Sequence, residues 1–264
     1  MNEVARWRVG TVPYLVAQPL TEGLDADPRV TLSAAPPARL GESLHAGELD
    51  VALASSVLAL GDGALPLWTA GPVIASEDAI RSVLLLLRPG ISSAADVRRW
   101  IADPDSRTGQ ALATVVLAEH GAGARRVDAP AADAFAAAEA EDADAVQIIG
   151  DPAIAAAQAH PDWTAIDLGS AWRALTGLPF VFAGWIGRPG SDPGAAAAPL
   201  QDAAARGLEA RERMADAAAA AGEAPQEFLR RYLLEDLAYH LPEDVVRASL
   251  AEFARRLGRA GGVR

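Results

Sequence analysis

The 264-residue chain has no cysteine, no lysine and a single asparagine, Asn2. Without cysteine there is no disulfide, no thiolate nucleophile and no cysteine-based metal site. Without lysine there is no Schiff base, no pyridoxal attachment and no P-loop lysine. All 23 basic residues are arginines. A GC-rich genome explains that bias, and the alanine excess, more simply than function does. Aromatic residues are only 5% of the chain. No apolar run approaches the ~18 residues of a membrane-spanning helix. Met1 to Arg8 is polar and charged, without the apolar centre of an export signal, so the expected compartment is the cytoplasm. Positive charge is also scarce: 23 basic residues face 35 acidic ones, a formal net charge of −12. That disfavours nucleic acid and anionic membrane as partners. A small anionic ligand stays open, because one arginine or one helix N-terminus suffices to hold it. His45, His120, His160 and His240 show no paired ligand spacing, so no metal is expected. No G-x-S-x-G or Walker pattern occurs.

What is present is an ordered alternation. The apolar fraction of 51% and the length fit one or two globular domains. The pattern predicts strands at Arg8–Val12, Val30–Ser33, Val51–Ala54 and Ser82–Leu87, with helices at Gln18–Leu24 and Ala38–Ala46. Pro19 suits a first helical turn and Gly47 a helix end. This rhythm indicates an α/β protein with a largely parallel sheet. A second unit follows. It has a short strand at Trp100–Ala102, helices at Thr108–Glu119 and Ala131–Ala140, and a strand at Ala143–Ile149. From Asp167 to Trp185 the sequence reads as a helix stopped by Gly177-Leu178-Pro179, then a buried strand. The remainder reads as helices at Leu200–Ala221, Pro225–Ala238 and Glu243–Leu257.

Several residues carry chemical potential. Asp105-Ser106-Arg107-Thr108 precedes a helix, where free backbone N–H groups and the dipole favour an anion. Arg107 adds the option of a bidentate carboxylate contact; the alternative is an ordinary capped surface helix. Ser55 and Ser56 follow a buried strand, where hydroxyls face a cleft or cap a helix. Arg81 is either an anion ligand or a partner for Glu77 or Asp78. Asp151 is a substrate contact or base, or else the cap of the helix that Pro152 begins, and the cap is the preferred reading.

Six ordered blocks carry a resemblance. They are Val12–Leu20 (VPYLVAQPL, containing Tyr14), Gly47–Ser56 (GELDVALASS), Ile74–Val83 (IASEDAIRSV), Asp105–Gly109 (DSRTG), Asp144–Ala153 (DAVQIIGDPA) and Asp167–Trp185 (DLGSAWRALTGLPFVFAGW). Together the chain resembles the chorismate dehydratases of menaquinone biosynthesis and their dihydroxynaphthoate-synthase relatives. The resemblance implies a two-lobed α/β fold like that of periplasmic solute-binding proteins. It implies lobe one at residues 1–88 plus 185–264 and lobe two at 89–184, with crossings near Leu87–Gly90 and Ala183–Arg188 and a ligand cleft between. The implied reaction is loss of water from chorismate to give 3-(1-carboxyvinyloxy)benzoate, the entry to the futalosine route. It needs no cofactor, because aromatisation drives the elimination. Ser82 is the implied catalytic residue. Tyr14, Val16, Ser55, Ser56, Arg81, Arg107, Thr108, Gly109 and Asp151 are the implied substrate-side residues. Trp172 and Trp185 are expected to pack beneath the site. The dihydroxynaphthoate synthases use a histidine from a loop near Asp151; here the next one is His160, which argues against that activity.

The chain departs from the family pattern where substrate is met. Val16 stands in place of a polar Asn, Gln18 in place of a common Arg, Leu58 in place of a frequent Glu and Gly109 in place of a Ser. Valine neither donates nor accepts a hydrogen bond. These changes keep two further readings open: a non-catalytic cleft for a small carboxylate, and a lyase or isomerase for a less polar acid.

Overall fold

The computed structural model describes residues 6–261. In chain order the elements are β1 (Trp7–Thr11), α1 (Gln18–Thr21), β2 (Val30–Ala34), α2 (Pro37–His45), β3 (Val51–Ser55), β4 (Val73–Ser76) and β5 (Val83–Leu87). Then come β6 (Arg99–Ala102), α3 (Arg107–Glu119), β7 (Arg125–Asp128), α4 (Ala134–Ala140), β8 (Ala145–Ile149), α5 (Gly150–Ala159), β9 (Thr164–Asp167) and α6 (Leu168–Thr176). The chain closes with β10 (Phe180–Gly187), α7 (Ala197–Glu209), α8 (Arg211–Ala220), α9 (Gln226–Arg231), β11 (Leu237–Ala238) and α10 (Glu243–Arg259).

Two sheets form. The first has strand order β11-β4-β10-β3-β1-β2 and the second β7-β6-β8-β5-β9. The expectation of a largely parallel sheet needs correction, because both sheets are mixed. β1 runs parallel to β2 and β3, and β6 parallel to β7 and β8. β10 runs antiparallel to β3 and β4, and β5 antiparallel to β8 and β9. β5 and β10 each enter their sheet from the other one. No local right-handed crossover sets their direction.

The same two strands move the crossings. β5 was expected with the first unit but pairs in the second sheet, and Phe180–Ala183 already pairs in the first. The chain therefore passes between sheets before β5 and again between β9 and β10, not near Leu87–Gly90 and Ala183–Arg188.

Burial follows the apolar runs. Every residue of β3 and of β5 is buried, and each buried Leu there is worth roughly 1.5–3 kcal/mol over an exposed one. Trp172, Phe180 and Phe253 pack edge to face, with centroids 4.9–5.9 Å apart. The expected helix Leu200–Ala221 is two helices that meet at Ala210. Gly207 lets α7 approach α1, since a Cβ there would overlap the carbonyl of Pro19. The expected helix Pro225–Ala238 also divides, into α9, one π turn at Tyr232–Asp236 and the short β11 on the edge of β4. Among the described residues no helix is long and apolar enough to cross a membrane.

Candidate functional site

The start of α3 lies where the two sheets' elements meet. Ser106 occupies its N-cap position, yet no side chain caps the helix. The Ser106 hydroxyl instead accepts from Gln147 Nε2 at 3.0 Å. Thr108 Oγ1 accepts the N–H of Val57 at 3.3 Å, which ties α3 to the residues just after β3. Ser106, Thr108 and Gly109 are all buried. Arg107 is exposed and makes no ion pair among the described residues. Among the described residues the first-turn N–H groups thus have no side-chain cap.

The serines divide in role. Ser56 is wholly buried and donates to the carbonyl of Val181 at 2.7 Å, which fixes it to β10. Ser55 takes the N-cap position of the following 3-10 turn, but its side chain makes no capping bond. Ser82 immediately precedes β5 and is 3% exposed. Its hydroxyl accepts from Tyr232 at 2.8 Å and makes a long 3.4 Å contact to the carbonyl of Ile80.

The end of β8 joins these parts. Gly150 has φ +68° and donates to the carbonyl of Ser82. A Cβ on it would lie 2.9 Å from the Tyr14 ring, so both its conformation and its neighbour require glycine. Asp151 was expected to cap its own helix; it does not. Its carboxylate crosses to accept the N–H of Leu15 at 3.1 Å. Burial pushes the Asp151 carboxyl up to about 6, opposed by the Leu15 N–H and aided by Glu223. Burial, then the charges of Asp103, Asp105 and Asp151, push the Tyr14 phenol up to about 12. Tyr14 therefore stays neutral and able to donate. Val16 is buried, and its carbonyl accepts from Tyr239 at 3.1 Å.

Arg81 is otherwise engaged. Its guanidinium pairs with Asp236, not with Glu77 or Asp78, and sits 6.0 Å from the Phe228 ring centroid. The pairing with Asp236 raises its already high pKa. Its charge is neutralised from within, so it does not stand free as an anion ligand. Its φ of 58° is unusual for a non-glycine residue. Asp167 helps hold that turn, accepting the N–H groups of Ile80 and Arg81 as well as those of Gly169 and Ser170 in α6.

Comparison with known proteins places this arrangement. A model of the family described as menaquinone biosynthesis matches residues 7–259. The chain belongs to that family. No curated protein matches its sequence. Protein AF1704 from Archaeoglobus fulgidus is 16% identical, with a TM-score of 0.75 over 97% of this chain and 98% of that one. The alkanesulfonate-binding protein SsuA from Xanthomonas axonopodis pv. citri, bound to MOPS, is 18% identical, with a TM-score of 0.71 over 100% and 96%. The periplasmic aliphatic sulphonate binding protein SsuA from Escherichia coli is 18% identical, with a TM-score of 0.65 over 98% and 88%. These likenesses establish the two-lobed α/β fold of periplasmic binding proteins.

At Gly109 the departure expected from the resemblance has a physical counterpart. A Cβ on Gly109 would overlap Ser106 Oγ and lie 2.6 Å from Gln147 Nε2. The carboxamide of Gln147 occupies the volume that a Ser side chain would need. Gln147 is wholly buried and its Oε1 has no hydrogen-bond partner among the described residues. Trp172 and Trp185 are wholly buried; Trp172 donates to the carbonyl of Pro179, whereas the indole N–H of Trp185 has no partner among the described residues. His160 stacks on Phe135 at 3.7 Å, at the far end of α5 from Asp151.

Sequence reasoning missed Gln147, Tyr232 and Tyr239. A signal existed for each. Gln147 is the one polar residue in the otherwise apolar strand AVQII. The chain has only three tyrosines, and all three, Tyr14, Tyr232 and Tyr239, contact residues of this junction.

Proposed function

We propose that this family member is a carbon–oxygen lyase that removes water from chorismate to give 3-(1-carboxyvinyloxy)benzoate. The observation that carries the reading is the first turn of α3. Its N–H groups lack a side-chain cap, and its Thr108 side chain is bonded to Val57 just after β3, in a chain of the menaquinone-biosynthesis family. Such a turn suits a carboxylate, because aligned N–H groups and the helix dipole both favour negative charge.

In this reading the N–H groups of Thr108 and Gly109 hold one substrate carboxylate. Ser55, at the end of β3, orients the second polar end. Ser82 donates a hydrogen bond to the departing ring hydroxyl as its C–O bond breaks. Asp151 takes the ring proton, and the C–H electron pair becomes the new double bond of the aromatic ring. Asp151 then gives that proton to the departing hydroxide, which leaves as water, and the carboxylate is regenerated. A carboxylate with a pKa near 6 is a stronger base than an ordinary one and is still mostly ionised at neutral pH. Burial of the site supplies orientation and excludes bulk water. Arg81, paired with Asp236, and Ser56, bonded to Val181, are left outside the binding set.

A second reading is favoured by Val16. That side chain is buried and apolar where the family pattern has a polar group, and so fits a less polar carboxylic acid, bound or transformed. Incubating the purified protein with chorismate, alongside a verified family enzyme, decides between them. Loss of chorismate with formation of the enolpyruvyl-benzoate supports the dehydratase. Intact chorismate beside an active control excludes it and leaves the second reading.

A further inference from the structure

We propose that Tyr232 is a positioning residue that fixes the hydroxyl of Ser82 as a hydrogen-bond donor toward the ligand. The inference rests on the reading of Ser82 as a ligand-contacting residue. It adds the element that sets the direction of the Ser82 proton, and with it the ligand chemistry that position accepts.

The contact joins residues far apart in the chain. Tyr232 is wholly buried, and its hydroxyl lies 2.8 Å from Ser82 Oγ, itself almost wholly buried. Tyr232 opens the π turn Tyr232–Asp236. π turns are rare and often occur at functional sites. Here one turn sends two side chains to one dipeptide. Tyr232 reaches Ser82, and Asp236 reaches Arg81 immediately before it. Further along the same segment, Tyr239 donates to the carbonyl of Val16. The segment from Tyr232 to Tyr239 thus holds two of the stations where substrate contact is expected.

The direction follows from proton inventory. A hydroxyl has one proton and two lone pairs. Phenol is more acidic than an alcohol, so Tyr232 donates and Ser82 accepts. Burial raises the Tyr232 pKa further, so it keeps its proton at every working pH. With one lone pair of Ser82 engaged, its own proton is left to be given. The acceptor it meets among the described residues, the Ile80 carbonyl at 3.4 Å, is beyond the usual O–H···O range. A ligand oxygen arriving closer takes that proton. The position therefore favours an acceptor, such as a carboxylate or a departing hydroxyl, and disfavours a donor-only group such as an ammonium.

Tyr232→Phe tests this, because it keeps the ring and removes only the donor. Steady-state kinetics on chorismate are measured for the native protein, Tyr232→Phe, Ser82→Ala and the double variant. Loss of one transition-state hydrogen bond predicts a kcat lowered roughly 10- to 100-fold with KM changed less than about three-fold. The double variant should fall no further than Ser82→Ala, since Tyr232 acts only through Ser82. Native kcat in Tyr232→Phe, or losses that add in the double variant, overturn the inference. A native protein inactive on chorismate refutes the dehydratase reading separately. The inference is then read by calorimetric binding of chorismate. About ten-fold weaker binding in Tyr232→Phe sustains it; equal binding in the two proteins, or none in either, overturns it.

Discussion

Two helices, α3 and α6, begin close to where the chain joins its two sheets, and they treat their first-turn N–H groups in opposite ways. At α6 the carboxylate of Asp167 accepts from Gly169 and Ser170 and also from Ile80 and Arg81 on the neighbouring crossing. At α3 no side chain caps the turn, the N-cap hydroxyl is turned to Gln147, and Thr108 accepts from Val57. Both turns offer the same electrostatics to an anion. The fold supplies its own carboxylate where two crossings must be held in register, and leaves the turn without one where a ligand carboxylate is proposed. An anion site is thus marked less by a helix N-terminus than by the missing internal anion.

The comparison breaks most visibly at Asp167. Asp167→Ala leaves four N–H groups without their acceptor and releases the turn that holds Arg81 in its left-handed conformation. One lost cap costs about 1 kcal/mol and each buried unpaired N–H costs more, so a loss of about 3 kcal/mol is expected. Urea denaturation measures it. A variant within 0.5 kcal/mol of the native protein, an estimate typical of neutral surface changes, would show that Asp167 does not hold the crossings.

A smaller effect is expected at the turn without a cap. Gly109→Ser drives a side chain into Ser106 Oγ and Gln147 Nε2. Overpacking of this kind costs about 1–3 kcal/mol. Removing the obstacle should return most of the loss, so Gly109→Ser with Gln147→Ala should be more stable than Gly109→Ser alone. Thermal unfolding of the three variants measures that coupling. Simple additivity of the two losses would mean that Gln147 is not what keeps residue 109 small.

Much of this was legible beforehand, and the exceptions share a cause. The buried strands β3, β5 and β10 and the long helices α3 and α10 were visible as periodic or continuous apolar runs. The strands β4, β7 and β9 were not, at four residues each, and β7 is mostly exposed and charged. The antiparallel entry of β5 and β10 has no local signature, because strand direction is decided by which sheet the chain crosses into. The same holds within the site. Thr108 and Gly109 lie in one short motif and could be read together. The partners Tyr232–Ser82, Asp236–Arg81 and Asp151–Leu15 are separated by 136 to 155 positions. Ser82, Arg81 and Asp151 stand in short motifs, but their partners lie far off in the sequence, so Ser82 and Arg81 read as ligand contacts, with Glu77 or Asp78 the alternative for Arg81, and Asp151 reads as the cap of α5.

Asp151 is the intermediate case that sharpens the comparison. It stands in the first turn of α5 but gives its carboxylate to Leu15, on the other side of the junction. Its pKa, pushed up to about 6 mainly by burial, lies above the usual value of about 3.9 for an unfolded chain. The native state therefore holds this proton more tightly than the unfolded state between those values. The stabilising contribution is complete below about pH 4 and is lost as the pH rises through about 6. Asp151→Asn removes that dependence while its carbonyl still accepts from Leu15. Relative to the native protein the variant should gain stability on going from pH 4 to pH 7, by about 1 kcal/mol after allowance for partial exposure. Its activity should fall if Asp151 takes the ring proton. Unfolding curves of both proteins across that range decide the matter. A stability difference independent of pH would mean that Asp151 is not held against its own charge, and would return it to the role of a simple cross-link between the lobes.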